Sequence, residues 1–339
     1  MKEHFDIIFV TNQPSFYKVR LWNEIAKQRK VLLIFLERME EDRNKDFVSE
    51  KPEFEYVVLP GDKWAGLRYL VLLLKKTDYD RLVIGGWDHP CLLFLPFISP
   101  KSKNAMLCES SFYEYQPNVL KDFIKRIFLM RIAIAFPSGK AQERIFEHFD
   151  FRGTIRQTGG CGLLNYVAQP IYQPRSEVCR FLYVGRLVKP KNLHMLIQVF
   201  NEFPNLELNI IGFGELEGEL RKNAGENVHF LGAVDNKQLS VYYQTYDVFV
   251  LPSTFEPWGL VVEEALNNGM PVIVSDKVGC WEDLVTPEYG LVFDSTNVND
   301  LKRSIQKMTN IAFYNRLRRN IAHLDFHLRA KRQVEVFLQ

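Results

Sequence analysis

The stretch from Asp247 to Ser275, DVFVLPSTFEPWGLVVEEALNNGMPVIVS, constrains the fold more than any other. Two short hydrophobic runs, Asp247 to Leu251 and Val272 to Ser275, flank a loop and an amphipathic segment. That is the order strand, loop, helix, strand, from which parallel sheets are built. Pro257 suits a first helical position, where its missing N–H costs nothing, and Asn267-Asn268-Gly269 with Pro271 beyond supplies a stop. The helix is therefore expected from about Pro257 to Asn267. Gly259 in its first turn leaves backbone N–H groups approachable, and those groups favour an anion such as a phosphate. Pro257, Leu260 and Glu264 are spaced by three and four along one rail. At ~1.5 Å rise per residue, Glu264 lies roughly 10 Å from the helix start, the separation of a diphosphate from the ribose of one nucleotide. Glu256 would sit close to such an anion, so its partner is a hydroxyl-rich neutral group or a developing positive charge. A sugar ring offers both. Spacing alone leaves a plainer reading open, with Glu256 an exposed loop residue, Glu264 an ordinary helix former and Glu263 solvated.

The same alternation of short β-branched or aromatic runs with helical patterns fills the 339 residues, enough for two domains. Strands are expected at Asp6 to Val10, Val31 to Leu36, Tyr56 to Leu59, Leu82 to Ile84, Ala105 to Cys108, Ile132 to Phe136 and Thr154 to Gln157. A second series begins at Arg180 to Val184 and continues near Leu206 to Ile211, Val228 to Leu231, Val248 to Leu251, Val272 to Val274 and Leu291 to Phe293. Glu37 to Pro52 is mostly charged and reads as a surface loop. Thr158 to Glu177, rich in Gly, Pro and Gln, reads as linker and hinge. The expected domains are residues 1–175 and 176–320, with a helical segment 321–339 that can leave the second domain and pack on the first. Two open α/β units present a cleft at the carboxyl ends of their strands, where such sheets bind ligands.

The formal charge of +2 excludes the strongly basic balance of a bulk nucleic-acid binder. No run reaches the ~18 apolar residues of a membrane span, and the N-terminal apolar run is broken by Asp6, too soon for a signal peptide. Cys91, Cys108, Cys161, Cys179 and Cys280 are scattered without zinc spacing and read as reduced thiols of a cytosolic protein. The one D-x-D, Asp78-Tyr79-Asp80, reads as a helix-to-strand turn, and no metal is implied. Gly212-x-Gly214 lacks the third glycine of a dinucleotide fingerprint.

Two further strand ends point to the same ligand. Gly185-Arg186-Leu187-Val188-Lys189-Pro190-Lys191-Asn192 follows the first strand of the second series, and Gly212-Phe213-Gly214-Glu215 follows the next. Arg186 and Lys191 with a helix N-terminus can hold a diphosphate, although basic loops are often only solvated. At this point the sequence resembles the retaining glycosyltransferases of family 4, of the kind that build bacterial surface polysaccharides and glycoconjugates. The motifs are YVGRLVKPKN (Tyr183 to Asn192), IIGFGE (Ile210 to Glu215), FLGAV (Phe230 to Val234) and Tyr246 to Val285 with its E-x7-E pattern. The resemblance covers the second domain. It implies a GT-B fold, two Rossmann-like doubly wound domains facing each other across a cleft. It also implies a nucleotide-sugar co-substrate, UDP-linked by family frequency, and no metal or other cofactor. It sets Arg186 and Lys191 on the diphosphate, Gly259 and Leu260 at backbone contacts to phosphate, Glu264 on the ribose, Glu256 against the transferred sugar and Val234 near the base. Gly185, Gly212, Pro257 and Trp258 belong to the same donor motifs.

The first domain resembles the family only loosely. Its strand-end loops carry Gln13-Pro14-Ser15-Phe16-Tyr17-Lys18, Gly85-Gly86-Trp87-Asp88-His89 and Glu109-Ser110-Ser111, so Tyr17, Lys18, Trp87, His89 and Glu109 are the acceptor-side candidates. Glu109 stands where the family often has a histidine; Glu109 and His89 are candidates for a catalytic base. The acceptor is expected to be a glycan or a lipid-linked glycan. Lys121 to Arg131, KDFIKRIFLMR, has two readings: an interfacial helix on the inner face of an anionic membrane, or a core helix with a solvated basic face. The second is favoured because amphipathic helices of this length are common in α/β domains. Two other functions fit the architecture, a nucleotide-sugar epimerase and a non-catalytic sugar-nucleotide binding protein.

Overall fold

The computed structural model describes residues 2–12, 15–36, 50–60, 63–165 and 171–339. Gln13, Pro14 and most of the charged segment 37–52 lie outside them. The chain divides into two compact units, residues 1–163 with 328–339, and residues 164–327.

The first unit runs β1 (Glu3–Thr11), α1 (Phe16–Ala26), β2 (Val31–Phe35), β3 (Tyr56–Val58), α2 (Lys63–Lys76), β4 (Thr77–Ile84), α3 (Pro90–Ile98), β5 (Asn104–Cys108), α4 (Val119–Leu129), β6 (Ile134–Pro137), α5 (Lys140–His148) and β7 (Thr154–Ile155). The strands form one parallel sheet in the order β3-β2-β1-β4-β5-β6-β7. Central strands are apolar on both faces because helices cover both; every residue of β2 and β5 is buried. Strand β4 begins earlier than its apolar core suggests. Pairing with β1 extends it back to Thr77, so Asp78-Tyr79-Asp80 lies in the strand and is not a turn. Residues 158–163 are not a free hinge either. The backbone N–H of Leu163 donates to Tyr17 O at 2.8 Å, and a Cβ on Gly162 would come within 2.6 Å of that oxygen.

Helix α4 departs from the favoured core reading. Asn118 caps it, its side chain accepting from Lys121 N at 3.0 Å, but only Phe128 and Leu129 are buried. Leu120, Phe123, Ile124 and Ile127 are exposed.

The second unit runs β8 (Arg180–Val184), α6 (Leu193–Phe200), β9 (Glu207–Ile211), α7 (Glu217–Asn223), β10 (Val228–Gly232), α8 (Leu239–Thr245), β11 (Val248–Leu251), α9 (Leu260–Asn267), β12 (Val272–Ser275), α10 (Trp281–Leu284), β13 (Gly290–Phe293), α11 (Val298–Met308) and α12 (Ile311–Ile321). Its parallel sheet has the order β10-β9-β8-β11-β12-β13. The order reverses between β8 and β11, and a doubly wound sheet opens its ligand crevice at the carboxyl ends of the strands flanking such a reversal. In the first sheet the reversal lies between β1 and β4.

The last helix, α13 (Phe326–Leu338), carries residues 328–338 into the first unit. The Phe337 ring sits 5.8 Å from Phe9 and 4.7 Å from Phe136, and Arg29 and Arg81 donate to the carbonyls of Leu338 and Phe337.

Candidate active site

The loops at the reversal of the second sheet are tied together by backbone. Gly185 follows β8 and Gly212 follows β9; a Cβ on Gly212 would stand 1.9 Å from the Gly185 carbonyl oxygen, so only glycine permits the approach of these two loops. Gly185 N donates to Ile211 O, and Gly212 N to Gly232 O at 2.8 Å, which carries the packing across to the loop holding Val234. Lys189–Lys191 form one 3₁₀ turn, closed by Asn192 in the left-handed region. Thr254 N donates to Pro190 O at 2.9 Å, joining this turn to the loop after β11. The result is an ion pair between the Lys191 ammonium and the Glu256 carboxylate, each side chain 14% exposed. Arg186 stands on the same loop with its side chain exposed, its carbonyl accepting from the Tyr183 hydroxyl at 2.9 Å.

The loop carrying Glu256 is held against the chain after β12. Glu256 bridges Val278, its N–H donating to Lys277 O and its carbonyl accepting from Gly279 N, and Cys280 N donates to Trp258 O. This pairing delays the helix. Gly259 lies in the left-handed region (φ 99°) as the N-cap of α9, which starts at Leu260 rather than Pro257. Glu264 is therefore one turn into the helix, about 6 Å from its start, and not the roughly 10 Å expected. The first N–H groups of α9 have no partner within the helix, which is the anion-favouring feature the sequence indicates.

Three side chains of this stretch, Trp258, Glu263 and Glu264, are buried. Trp258 is buried, and its indole Nε1 donates to Glu263 Oε2 at 3.3 Å; Glu263, solvated only on the plainer reading, is fully buried. The Trp258 side chain is thus part of the packing beneath the loop rather than a lining group. Glu264 is also buried and accepts at Oε2 from the Tyr243 hydroxyl at 3.0 Å. Burial pushes its carboxyl up from 4.5 to about 7, against the lowering effect of that hydrogen bond. Tyr243 has no motif of its own; its place on α8, opposite α9, is the signal that could have found it.

In the first unit the reversal of the sheet gathers Tyr17, Lys18 and Glu109. Lys18 Nζ is 2.8 Å from Glu109 Oε2. Burial acts to lower the Lys18 ammonium, yet the adjacent Glu109 carboxylate outweighs it and raises it above the usual lysine range. Burial pushes the Tyr17 phenol up to about 12. Glu109 Oε1 and the Ser111 hydroxyl are buried with no hydrogen-bond partner among the described residues. His89 and Trp87 are occupied elsewhere. His89 Nδ1 accepts from Cys91 N at 3.2 Å, capping α3, and the Trp87 ring packs edge-on to Phe128 and Phe149 beneath Lys125. Among the described residues, the one His/Cys/Asp/Glu group close enough to share an ion is His4, Asp6 and Asp80. It lies toward the amino ends of β1 and β4, the opposite edge from these loops.

Residues 170–323 match the family described as "Glycosyl transferases group 1". The O-antigen biosynthesis glycosyltransferase WbnH of Escherichia coli is 34% identical over 131 residues, 38% of this chain and 37% of the length of that relative. Sucrose-phosphate synthase from Thermosynechococcus elongatus superposes with a TM-score of 0.76 at 19% identity, over 98% of both chains. Anabaena HepE in complex with UDP superposes at 0.73 with 15% identity, over 98% of this chain and 99% of that one. The chain has the GT-B fold, and residues 170–323 form a glycosyl transferases group 1 domain.

Proposed function

We propose that this chain is a retaining glycosyltransferase that moves a sugar from a nucleotide-diphosphate sugar to a glycan or lipid-linked glycan without a metal ion. The observation that carries the proposal is Lys191 paired with Glu256 at the reversal of the second sheet, just ahead of the N-terminus of α9. The group 1 domain over the same residues supports it. A UDP donor is favoured because HepE, of the same fold, was solved with UDP. A glycan acceptor is favoured by the O-antigen relative, and a cytoplasmic setting by five scattered cysteines read as thiols.

Cleavage between the anomeric carbon and the phosphate oxygen leaves negative charge on the diphosphate, and fixed positive groups aimed there lower the barrier most. Arg186, Lys191 and the first N–H groups of α9, at Gly259 and Leu260, take that part. In the free protein Lys191 holds Glu256. A bound diphosphate competes for the ammonium and leaves the carboxylate to the sugar hydroxyls and to the charge that develops at the anomeric carbon. Glu264, held by Tyr243, takes the ribose, and Val234 flanks the base. Front-face departure, with the leaving phosphate oxygen accepting the proton of the incoming hydroxyl, keeps the anomeric configuration and needs no protein nucleophile. On the acceptor side, His89 is committed to capping α3, so Glu109 is the better candidate to orient an acceptor hydroxyl, through its unpartnered Oε1.

The test is release of nucleoside diphosphate from a panel of nucleotide sugars, with and without acceptors and with a chelator. Acceptor-dependent release that survives chelation and gives a product of unchanged anomeric configuration is expected. Donor isomerisation without transfer would make the protein an epimerase instead, and binding without turnover a silent nucleotide-sugar receptor.

A further inference from the structure

Helix α4 is amphipathic in the wrong sense for a core helix. Leu120, Phe123, Ile127 and Met130 recur at three- and four-residue spacing and so share one face. That face points to solvent: Leu120 is 68% and Met130 69% exposed. The neighbouring helix adds to it. Arg131, just beyond α4, donates to the carbonyls of Pro96 and Ser99 at the end of α3, and α3 exposes Phe94 and Phe97. Cations flank the apolar face. Lys121, Lys125 and Arg126 stand on α4, whose one carboxylate, Asp122, accepts from the Tyr115 hydroxyl at 2.8 Å; Arg126 also pairs with Asp150 at 3.2 Å, both side chains exposed, and Lys125 lies over the Trp87 ring. Among the described residues the molecule exposes twenty large apolar side chains, fifteen of them in the first unit, six of these between Val119 and Met130.

We propose that the α3–α4 surface of the first unit docks the protein on an anionic lipid bilayer. The charge pattern selects this occupant. An apolar face pressed into acyl chains, with lysine and arginine at its border, complements anionic headgroups over a hydrocarbon layer. A second copy of the same surface would bring its cations against their like. Among the described residues no helix is long and apolar enough to cross a membrane, so the contact would lie in the interface plane. The surface is independent of the donor-side chemistry, so it can stand or fall without the transferase reading.

The test is co-sedimentation of the full chain with vesicles of phosphatidylcholine alone and of equal parts phosphatidylcholine and phosphatidylglycerol. Binding to the anionic vesicles is expected, with much weaker binding to the neutral ones. Phe123→Ser with Ile127→Ser should lower it about a hundredfold, because two buried side chains are lost. Lys121→Glu with Arg126→Glu should lower it at least about tenfold, and added salt should mimic that change. Val241→Ser, an exposed apolar position of the second unit, should leave it unchanged. No binding at low salt, equal binding to both vesicles, or binding untouched by the apolar variants would each overturn the proposal. So would a dimer in solution that the same apolar variants dissociate, since the face would then cover another copy of the chain.

Discussion

The two units share one construction and differ in what they leave open to read. Both are parallel sheets whose strand order reverses after the third position, β1 to β4 in one and β8 to β11 in the other. In the second unit the reversal carries a charged pair and a helix start, all on short, recognisable motifs, while its outer helices are polar enough to leave five large apolar side chains exposed among the described residues. In the first, Lys18 in the first turn of α1 and Glu109 on the loop after β5 belong to no motif, and apolar residues lie on the outside. On the proposed function, the donor side is the one written in recognisable motifs and the acceptor side is not.

The sharpest break of that comparison is a pair of variants, one in each unit. Glu256→Ala or Lys191→Ala should lower turnover by about a thousandfold in a folded protein, since on the proposed function each removes a charge from the reacting centre. Glu109→Gln should lower acceptor-dependent turnover only about tenfold and leave donor affinity unchanged. Equal losses of donor affinity from both would erase the division of labour.

Glu264 provides the next largest effect. Its folded carboxyl titrates near 7 against 4.5 unfolded. Because the folded value is the higher, the contribution to stability is full below about pH 4.5 and is lost as pH rises through about 7, by about 3 kcal/mol. Thermal unfolding of wild type and Glu264→Gln across this window should diverge accordingly; a constant difference between them would remove the buried carboxylate from the account.

A smaller loss is expected at Gly212. Alanine there places Cβ 1.9 Å from the Gly185 carbonyl oxygen at φ 139°, and should cost about 2 kcal/mol or more in denaturant unfolding. Gly218 has open space around its Cβ position, and Gly218→Ala should be close to neutral.

Much of the fold was legible because parallel strands buried on two faces are written as unbroken apolar runs; Arg180–Val184 and Val248–Leu251 agree with their expected bounds. What escaped was tertiary. Pairing of Glu256 with Val278 straightens the loop and moves the start of α9 to Leu260, which local helix signals at Pro257 do not reveal. The burial of Glu263 under Trp258, and the hold of Tyr243 on Glu264, join separate turns or helices and leave no local pattern. Helix α4 has the periodicity of a core helix, and periodicity alone does not say which way its apolar face turns.

The central claim is that the second unit holds the diphosphate of a nucleotide sugar through Lys191 and Arg186 at the head of α9. Calorimetric titration of the full chain with UDP and with GDP tests it most directly. One nucleoside diphosphate should bind in a single site, in a manner weakened by salt, and Lys191→Ala and Arg186→Ala should each weaken it by at least about tenfold. Absence of binding by either nucleotide, or binding indifferent to both substitutions, would contradict it.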